Sequence, residues 1–176
     1  AMPPRNDGVQ AWDDHPPPLR ALFTRLQSAY AAMLDHADQQ IARLMAWLEA
    51  SGQADNTIVC VLSDNGASQE GGPFGMVNAM GPYNQLAEPP PKKIDRLDDI
   101  GGPDTHANFP WGWAMAANTP LKRYKHNTHG GGIRDPLVIA WPAGLAARGE
   151  LHHRFCHATD LAPTLLDMVG VAPPAT

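Results

Sequence analysis

Two oxygen-bearing side chains, Asp64 and Asn65, stand at the end of the apolar run that spans residues 57 to 63, and Gly66 follows them. Carboxylate and amide oxygens are the ligands that Ca²⁺ and Mg²⁺ prefer. An Asp-Asn-Gly sequence is also common in turns that bind nothing. The residues alone therefore indicate either a divalent cation site or an ordinary turn.

A second group of chemically capable residues lies between positions 118 and 136, where basic side chains surround three consecutive glycines, Gly130 to Gly132. The basic residues are Lys122, Arg123, Lys125 and Arg134. Glycines allow backbone N–H groups to approach an anion closely, and the basic side chains supply positive charge. The pattern indicates an anion site, with a solvent-exposed basic turn as the alternative.

The elements that position these residues follow from hydrophobic periodicity. Apolar residues recur about every 3.6 positions from Leu19 to Leu48, which predicts a long amphipathic helix whose apolar stripe packs in a core. Apolar runs at 57 to 63 and 136 to 141 predict two strands, and a last helix is predicted to end at Gly170. Helices and strands in this order predict an α/β sheet.

A long irregular loop is predicted at 67 to 118, because this segment is rich in Gly, Pro and Asn. Loops that follow strands in α/β proteins often line active sites. Three aromatic residues of the loop either line a pocket for an aryl group or pack the loop itself: Phe109, Trp111 and Trp113.

Composition excludes several classes of function. The chain has 176 residues, 43% hydrophobic content and a net charge of −5, which indicate a soluble globular protein and give no electrostatic basis for binding nucleic acid. No apolar stretch approaches the ~20 residues of a membrane span. Cys60 and Cys156 lack zinc-site spacing and are predicted to be small core residues. The sequence leaves open whether the two cysteines form a disulfide. The compartment is therefore also open, and is either cytoplasmic or periplasmic or secreted.

Four segments together resemble the sulfatase family, in the family's order, within a match of roughly residues 29 to 172. The segments are SDNG at 63–66, KHNTHGGGIRDP at 125–136, WPAG at 141–144 and ATDLAPTLLDMVG at 158–170. The resemblance implies the C-terminal portion of an arylsulfatase-like catalytic domain. Its fold would be α/β, an alkaline-phosphatase-like sheet flanked by helices and present only in part, over residues 19–176, with 1–18 as an irregular proline-rich lead-in.

The resemblance also assigns roles to individual residues. Asp64 and Asn65 would ligate a divalent cation, Ca²⁺ before Mg²⁺. Lys125, rather than Lys122, would be the catalytic lysine that binds the sulfate of a small-molecule ester, where its charge offsets negative charge as the S–O bond breaks. His129 is the second catalytic candidate, and support of the glycine loop is its alternative role.

The chain also departs from the family pattern. Sulfatases use a cysteine in Cys-x-(Pro/Ala)-x-Arg that is converted to formylglycine, and neither cysteine here stands in that motif. The expectation is a fragment that begins after the nucleophile and ends before the family's small C-terminal subdomain. Such a fragment should be inactive alone and should associate with itself or a complementing partner through exposed sheet surface.

Two other functions stay open at this stage. One is a phosphoesterase of the wider alkaline-phosphatase-like superfamily. The other is a non-catalytic binding module derived from the fold, for which the only support is Gly130, which stands where the family commonly has Glu.

Overall fold

The computed structural model describes residues 2–146 and 149–172, which divide into two compact units. Unit 1 is formed by the described residues of 1–43 together with 65–136. Unit 2 is formed by 44–64 together with the described residues of 137–176. Each unit therefore combines two separate stretches of the chain.

The predicted long helix is confirmed as α1, Pro17–Ala50. Near its N-terminal end Leu22, Phe23 and Leu26 are almost completely buried in the core of unit 1. After α1 the chain turns at Gly52, whose φ of 69° is readily adopted by glycine. Among the described residues no helix is both long and apolar enough to cross a membrane.

The expectation that the whole apolar stripe of α1 packs in a core is wrong for most of its C-terminal half, although Leu48 is buried. Large side chains there are about half exposed: Met33, Leu34, Ile41, Leu44 and Trp47. A helix of this length extends ~50 Å at 1.5 Å per residue. A unit of roughly 100 residues has a radius of gyration of only about 13 Å and cannot cover such a helix from end to end.

The core of unit 1 forms where the start of α1 meets the segment from residue 67 to residue 124. Its fully buried members include Leu22, Val77, Ile100 and Ala114. Within this segment Glu88 accepts backbone hydrogen bonds from Val77 N at 2.8 Å and Asn78 N at 3.2 Å. The buried Lys93 donates from Nζ to the carbonyl of Gly75. Polar contacts and apolar packing therefore order a segment that lacks long regular elements.

Besides two short 3-10 helices, three α-helices lie in the segment that the sequence predicts as irregular: α2 Met80–Tyr83, α3 Pro90–Ile94 and α4 Trp111–Asn118. The prediction fails most clearly at α4. Three of the eight residues of α4 are alanines, the best helix formers, and Pro110 precedes the helix in extended backbone. The high Gly and Pro content of the surrounding segment concealed this short helical run.

In unit 2 the two predicted strands are confirmed in shorter form. Strand β1, Val59–Leu62, pairs antiparallel with β2, Leu137–Ala140, with Val59 opposite Ala140. The short helix α5, Gly130–Ile133, precedes β2 along the chain and belongs to unit 1. The predicted last helix is confirmed as α6, Leu161–Met168.

Both cysteines of unit 2 are free thiols. Cys60 is half-buried on β1, whereas Cys156 is exposed. The prediction of a core position is therefore wrong for Cys156, which lies in an exposed, irregular stretch before α6.

Candidate functional site

The side chain of Asn118, the last residue of α4, joins the turn after Asn65 to the glycine run. Its Oδ1 accepts from Ala67 N at 3.2 Å. Its Nδ2 donates to the carbonyls of Arg123 at 3.1 Å and Gly131 at 2.8 Å. Since an amide side chain offers one acceptor and two donors, these three bonds fix its orientation. Sequence reasoning missed Asn118, because an asparagine in a predicted loop gives no sign of its partners.

The glycine run is packed closely against neighbouring backbone. A Cβ at Gly66 would lie 1.7 Å from Gly131 O, and a Cβ at Gly131 would lie 2.0 Å from Arg123 O. The N–H of Gly131 donates to Lys122 O, and that of Gly132 donates to His129 O, each at 2.8 Å. The expectation that this run offers its N–H groups to an anion is therefore wrong for these two glycines. They are small because backbone segments approach each other here.

Lys125 lies beside a carboxylate that sequence reasoning did not select. Its Nζ is 3.3 Å from Oε1 of Glu70, and the Nε2 of His126 is 3.2 Å from the same oxygen. Ser68 Oγ donates to the other carboxylate oxygen at 3.2 Å. Glu70 is the only acidic residue between Asp64 and Glu88, and this isolation was the available signal. The charge of the proposed sulfate-binding lysine is thus partly neutralised within the chain.

The backbone of Lys125 is also fixed. Its N–H donates to Ala67 O at 3.1 Å, so the lysine is held against the turn that begins at Asn65. The side chain is about 29% exposed and remains accessible to an anion from solvent. The structure therefore places the backbone of Lys125 next to Ala67, two residues beyond Asn65.

His129 precedes α5 and is exposed. Within the described residues its side chain makes no hydrogen bond or ion pair with Lys125, Glu70 or the glycine run. Its carbonyl, in contrast, accepts from Gly132 N. Its backbone supports the loop, and a catalytic role for its imidazole stays a prediction.

Comparison with known proteins adds a decisive observation to this geometry. A family model described as Sulfatase matches residues 5–171, nearly the whole chain. The chain belongs to the sulfatase family. The family match confirms the predicted fold class, an alkaline-phosphatase-like α/β fold present in part, to which the two-stranded sheet and its helices conform.

Individual sulfatases match this chain at low identity. An uncharacterized sulfatase of Schizosaccharomyces pombe is 30% identical over 95% of this chain and 29% of its own length. An arylsulfatase of Klebsiella aerogenes is 29% identical over 92% of this chain and 33% of its own length. The N-acetylgalactosamine-6-sulfatase of Rattus norvegicus is 27% identical over 88% of this chain and 22% of its own length. The sulfatase chain described here thus spans a third or less of the length of these relatives.

The predicted cation ligands of this sulfatase chain fit Ca²⁺ in chemical type but not in number. Asp64 is exposed, and Asn65 is half-buried with its Nδ2 donating to Gly66 O at 3.1 Å. Ca²⁺ takes six to eight oxygen ligands. No group of three or more His, Cys, Asp or Glu residues is placed to share an ion in the described parts of the chain. Asp64 and Asn65 can therefore supply only part of a coordination shell.

Gly130 meets only side-chain atoms, unlike its neighbours. A Cβ there would lie 3.3 Å from Leu121 Cδ2 and 3.6 Å from Arg134 Cδ. A shift of a few tenths of an ångström in the Leu121 side chain would therefore admit a Cβ at this position.

The ion pair of Glu70 should make stability depend on pH in a defined direction. The hydrogen bond from His126, together with Lys125, lowers the pKa of Glu70 below its usual 4.5 and outweighs the opposing effect of burial. The contribution of the ionised Glu70 to the free energy of unfolding is present above pH ~4.5 and is lost as the pH falls through the lowered pKa. Because the pair is about one-third exposed, we expect the Glu70→Gln variant to lose only ~0.5 kcal/mol at pH 7 and less at pH 3.

Urea unfolding at the two pH values measures this difference. Glu49→Gln is the matched control, because Glu49 is exposed on α1. An equal loss at both pH values would contradict an electrostatic role for Glu70.

Proposed function

We propose that this chain is part of a longer enzyme that hydrolyses sulfate esters, and that Lys125 binds the sulfate group. One observation carries the proposal: the backbone of Lys125 is hydrogen-bonded to Ala67, two residues beyond Asn65. A lysine whose backbone is anchored near Asn65, one of the candidate cation ligands, suits anion binding next to a cation. Membership of the sulfatase family supports a hydrolase function.

Different residues of this chain would perform different roles in sulfate ester hydrolysis. The ammonium group of Lys125 orients the sulfate and stabilises the negative charge that develops on the leaving oxygen. Glu70 holds this group in place until the substrate arrives, since the two lie 3.3 Å apart. His129 is proposed as a second catalytic residue, and its exposed position leaves it accessible to substrate.

A divalent cation, Ca²⁺ before Mg²⁺, is proposed to be held in part by Asp64 and Asn65. When bound, it would act as a Lewis acid on a sulfate oxygen. The formylglycine that sulfatases use would have to lie outside residues 1–176, because neither Cys60 nor Cys156 stands in the required motif.

The activity prediction separates this proposal from its alternatives. The 176-residue chain alone is expected not to hydrolyse 4-nitrophenyl sulfate, because it lacks the nucleophile, whereas a protein extended to the length of its relatives is expected to do so. Release of 4-nitrophenol measures both. Metal-dependent turnover by the chain alone would contradict the prediction. Preference of the extended protein for 4-nitrophenyl phosphate would favour a phosphoesterase, and activity towards neither ester would favour a binding module.

Self-association or complementation through the sheet of unit 2 is part of the proposal. Apolar side chains of both strands are about half exposed: Val61, Leu62 and Val138. Exposed apolar strands are templates for association. The apparent mass of the chain is therefore expected to rise with concentration in light scattering. A constant monomer mass over a wide concentration range would count against this, and Val61→Lys should reduce the effect.

A further inference from the structure

Unit 1 contains a cavity of about 420 Å³ between the N-terminal segment, the start of α1 and α4. Five aromatic side chains line it: Trp12, Phe23, Phe74, Trp111 and Trp113. Its volume lies within the ~300–1,000 Å³ that is usual for small-molecule sites. Neither Lys125 nor Asn65 is among its lining residues, so it is distinct from the proposed sulfate site.

The aromatic walls of the cavity are held in fixed positions. Trp111 Nε1 donates to Gln69 O at 2.8 Å, and Trp113 Nε1 donates to Phe23 O at 3.0 Å. The ring of Trp12 stands edge-on to that of Trp113, with 5.8 Å between centroids. Because both α4 indole N–H groups already have partners, the rings offer a ligand mainly apolar contact. The cavity is therefore preformed.

The N-terminal wall is anchored to the rest of unit 1. Arg123 donates from its backbone N to Asn6 Oδ1 at 3.3 Å and pairs through Nη2 with Asp7 at 2.7 Å. Gly8 has a φ of 81°, and a Cβ there would approach the ring of Trp111 to 3.0 Å. The wall thus lies close against Trp111 because position 8 is glycine.

The charges around the cavity favour an anion. Arg5 lines it, and no Asp or Glu is among its described lining residues. Of the carboxylates next to lining residues in sequence, Asp7 and Asp13 are paired with Arg123 and Arg20, and Asp14 is exposed and is not a lining residue. The positive charge of Arg5 is therefore not offset by a lining carboxylate.

We propose that this cavity binds a small aromatic molecule that carries a negative charge. The aromatic part contacts the rings, and the anionic group lies at the rim beside Arg5. This inference concerns equilibrium binding and does not depend on the proposed hydrolase activity.

The test uses naphthalene-2-sulfonate as the probe and the 176-residue chain as the protein, with affinity measured by calorimetry. Ala116 lines the cavity from the exposed side of α4, so Ala116→Trp should fill the space and abolish binding. Arg5→Gln should weaken sulfonate binding ~5-fold and leave the neutral 2-naphthol unaffected.

Two control variants locate the binding. Trp47→Phe alters an exposed tryptophan outside the cavity, and Lys122→Ala removes an exposed positive charge outside the cavity. Both should bind the probe with unchanged affinity. Absence of binding by the unmodified chain would overturn the proposal, as would loss of binding in Lys122→Ala or equal effects of Arg5→Gln on the sulfonate and on 2-naphthol. Circular dichroism establishes that each variant is folded, and Arg5, being exposed, can be replaced without disturbing the core.

Discussion

Replacement of Lys125 by alanine in the extended enzyme is expected to lower kcat/KM for sulfate esters by about 10²–10³-fold, as does removal of one preorganised group that stabilises charge in a transition state. The physical reason is that Lys125 is fixed through its backbone to Ala67 and through its side chain to Glu70. Hydrolysis of 4-nitrophenyl sulfate under initial-rate conditions measures the loss.

Lys122→Ala is the matched control for this experiment. Lys122 is exposed, and its contact with Gly131 is made by its backbone carbonyl, which the substitution retains. Activity of this variant should stay within about two-fold of the unmodified enzyme. A large loss in Lys122→Ala together with a small loss in Lys125→Ala would show that the sulfate-binding lysine had been assigned to the wrong position.

The second large effect is expected from Gly131→Ala, which should destabilise unit 1 by about 3 kcal/mol or prevent its folding. The new Cβ would lie 2.0 Å from Arg123 O and 2.7 Å from Lys122 O, and backbone atoms cannot move aside as the end of a side chain can. Urea unfolding followed by circular dichroism measures the change in the free energy of unfolding.

Gly130→Ala provides the comparison, because it makes the same chemical change one residue earlier. There the nearest atom is Leu121 Cδ2 at 3.3 Å, and alanine is a better helix former than glycine at the start of α5. Its free energy of unfolding should change by less than ~1 kcal/mol. Similar losses for the two variants would mean that the close backbone approach at Gly131 is not what requires glycine.

Local patterns were enough to predict the first and last long helices and both strands, but not the helices between residues 67 and 118. The family resemblance selected Lys125, whose role stays a prediction. The contacts that organise the site were not predictable in this way. Asn118 and Ala67 are 51 positions apart, and nothing in either neighbourhood indicates the other. Glu70 stood out only as an isolated acid. Residues paired by tertiary packing leave no periodic trace in the sequence.

Periodicity also identifies an apolar face without showing whether anything covers it. The apolar positions of α1 from Leu19 to Leu48 share one stripe, yet Leu22 is buried and Leu44 is 56% exposed. The spacing is the same for both, because spacing depends only on helix geometry. Burial depends on how long the helix is relative to the compact unit that it packs against. A short window of sequence does not contain that information.

On the proposed assignment of Lys125, the carboxylate beside it makes anion binding an exchange reaction. The incoming ester displaces Glu70, which lies 3.3 Å from the ammonium nitrogen and also contacts His126 and Ser68. The affinity for the ester is then the difference between two interactions with one positive charge. The same displacement is needed in the transition state, so its cost raises KM and leaves kcat unchanged. Glu70 thus acts as an internal competitor that weakens the binding of any anion at Lys125.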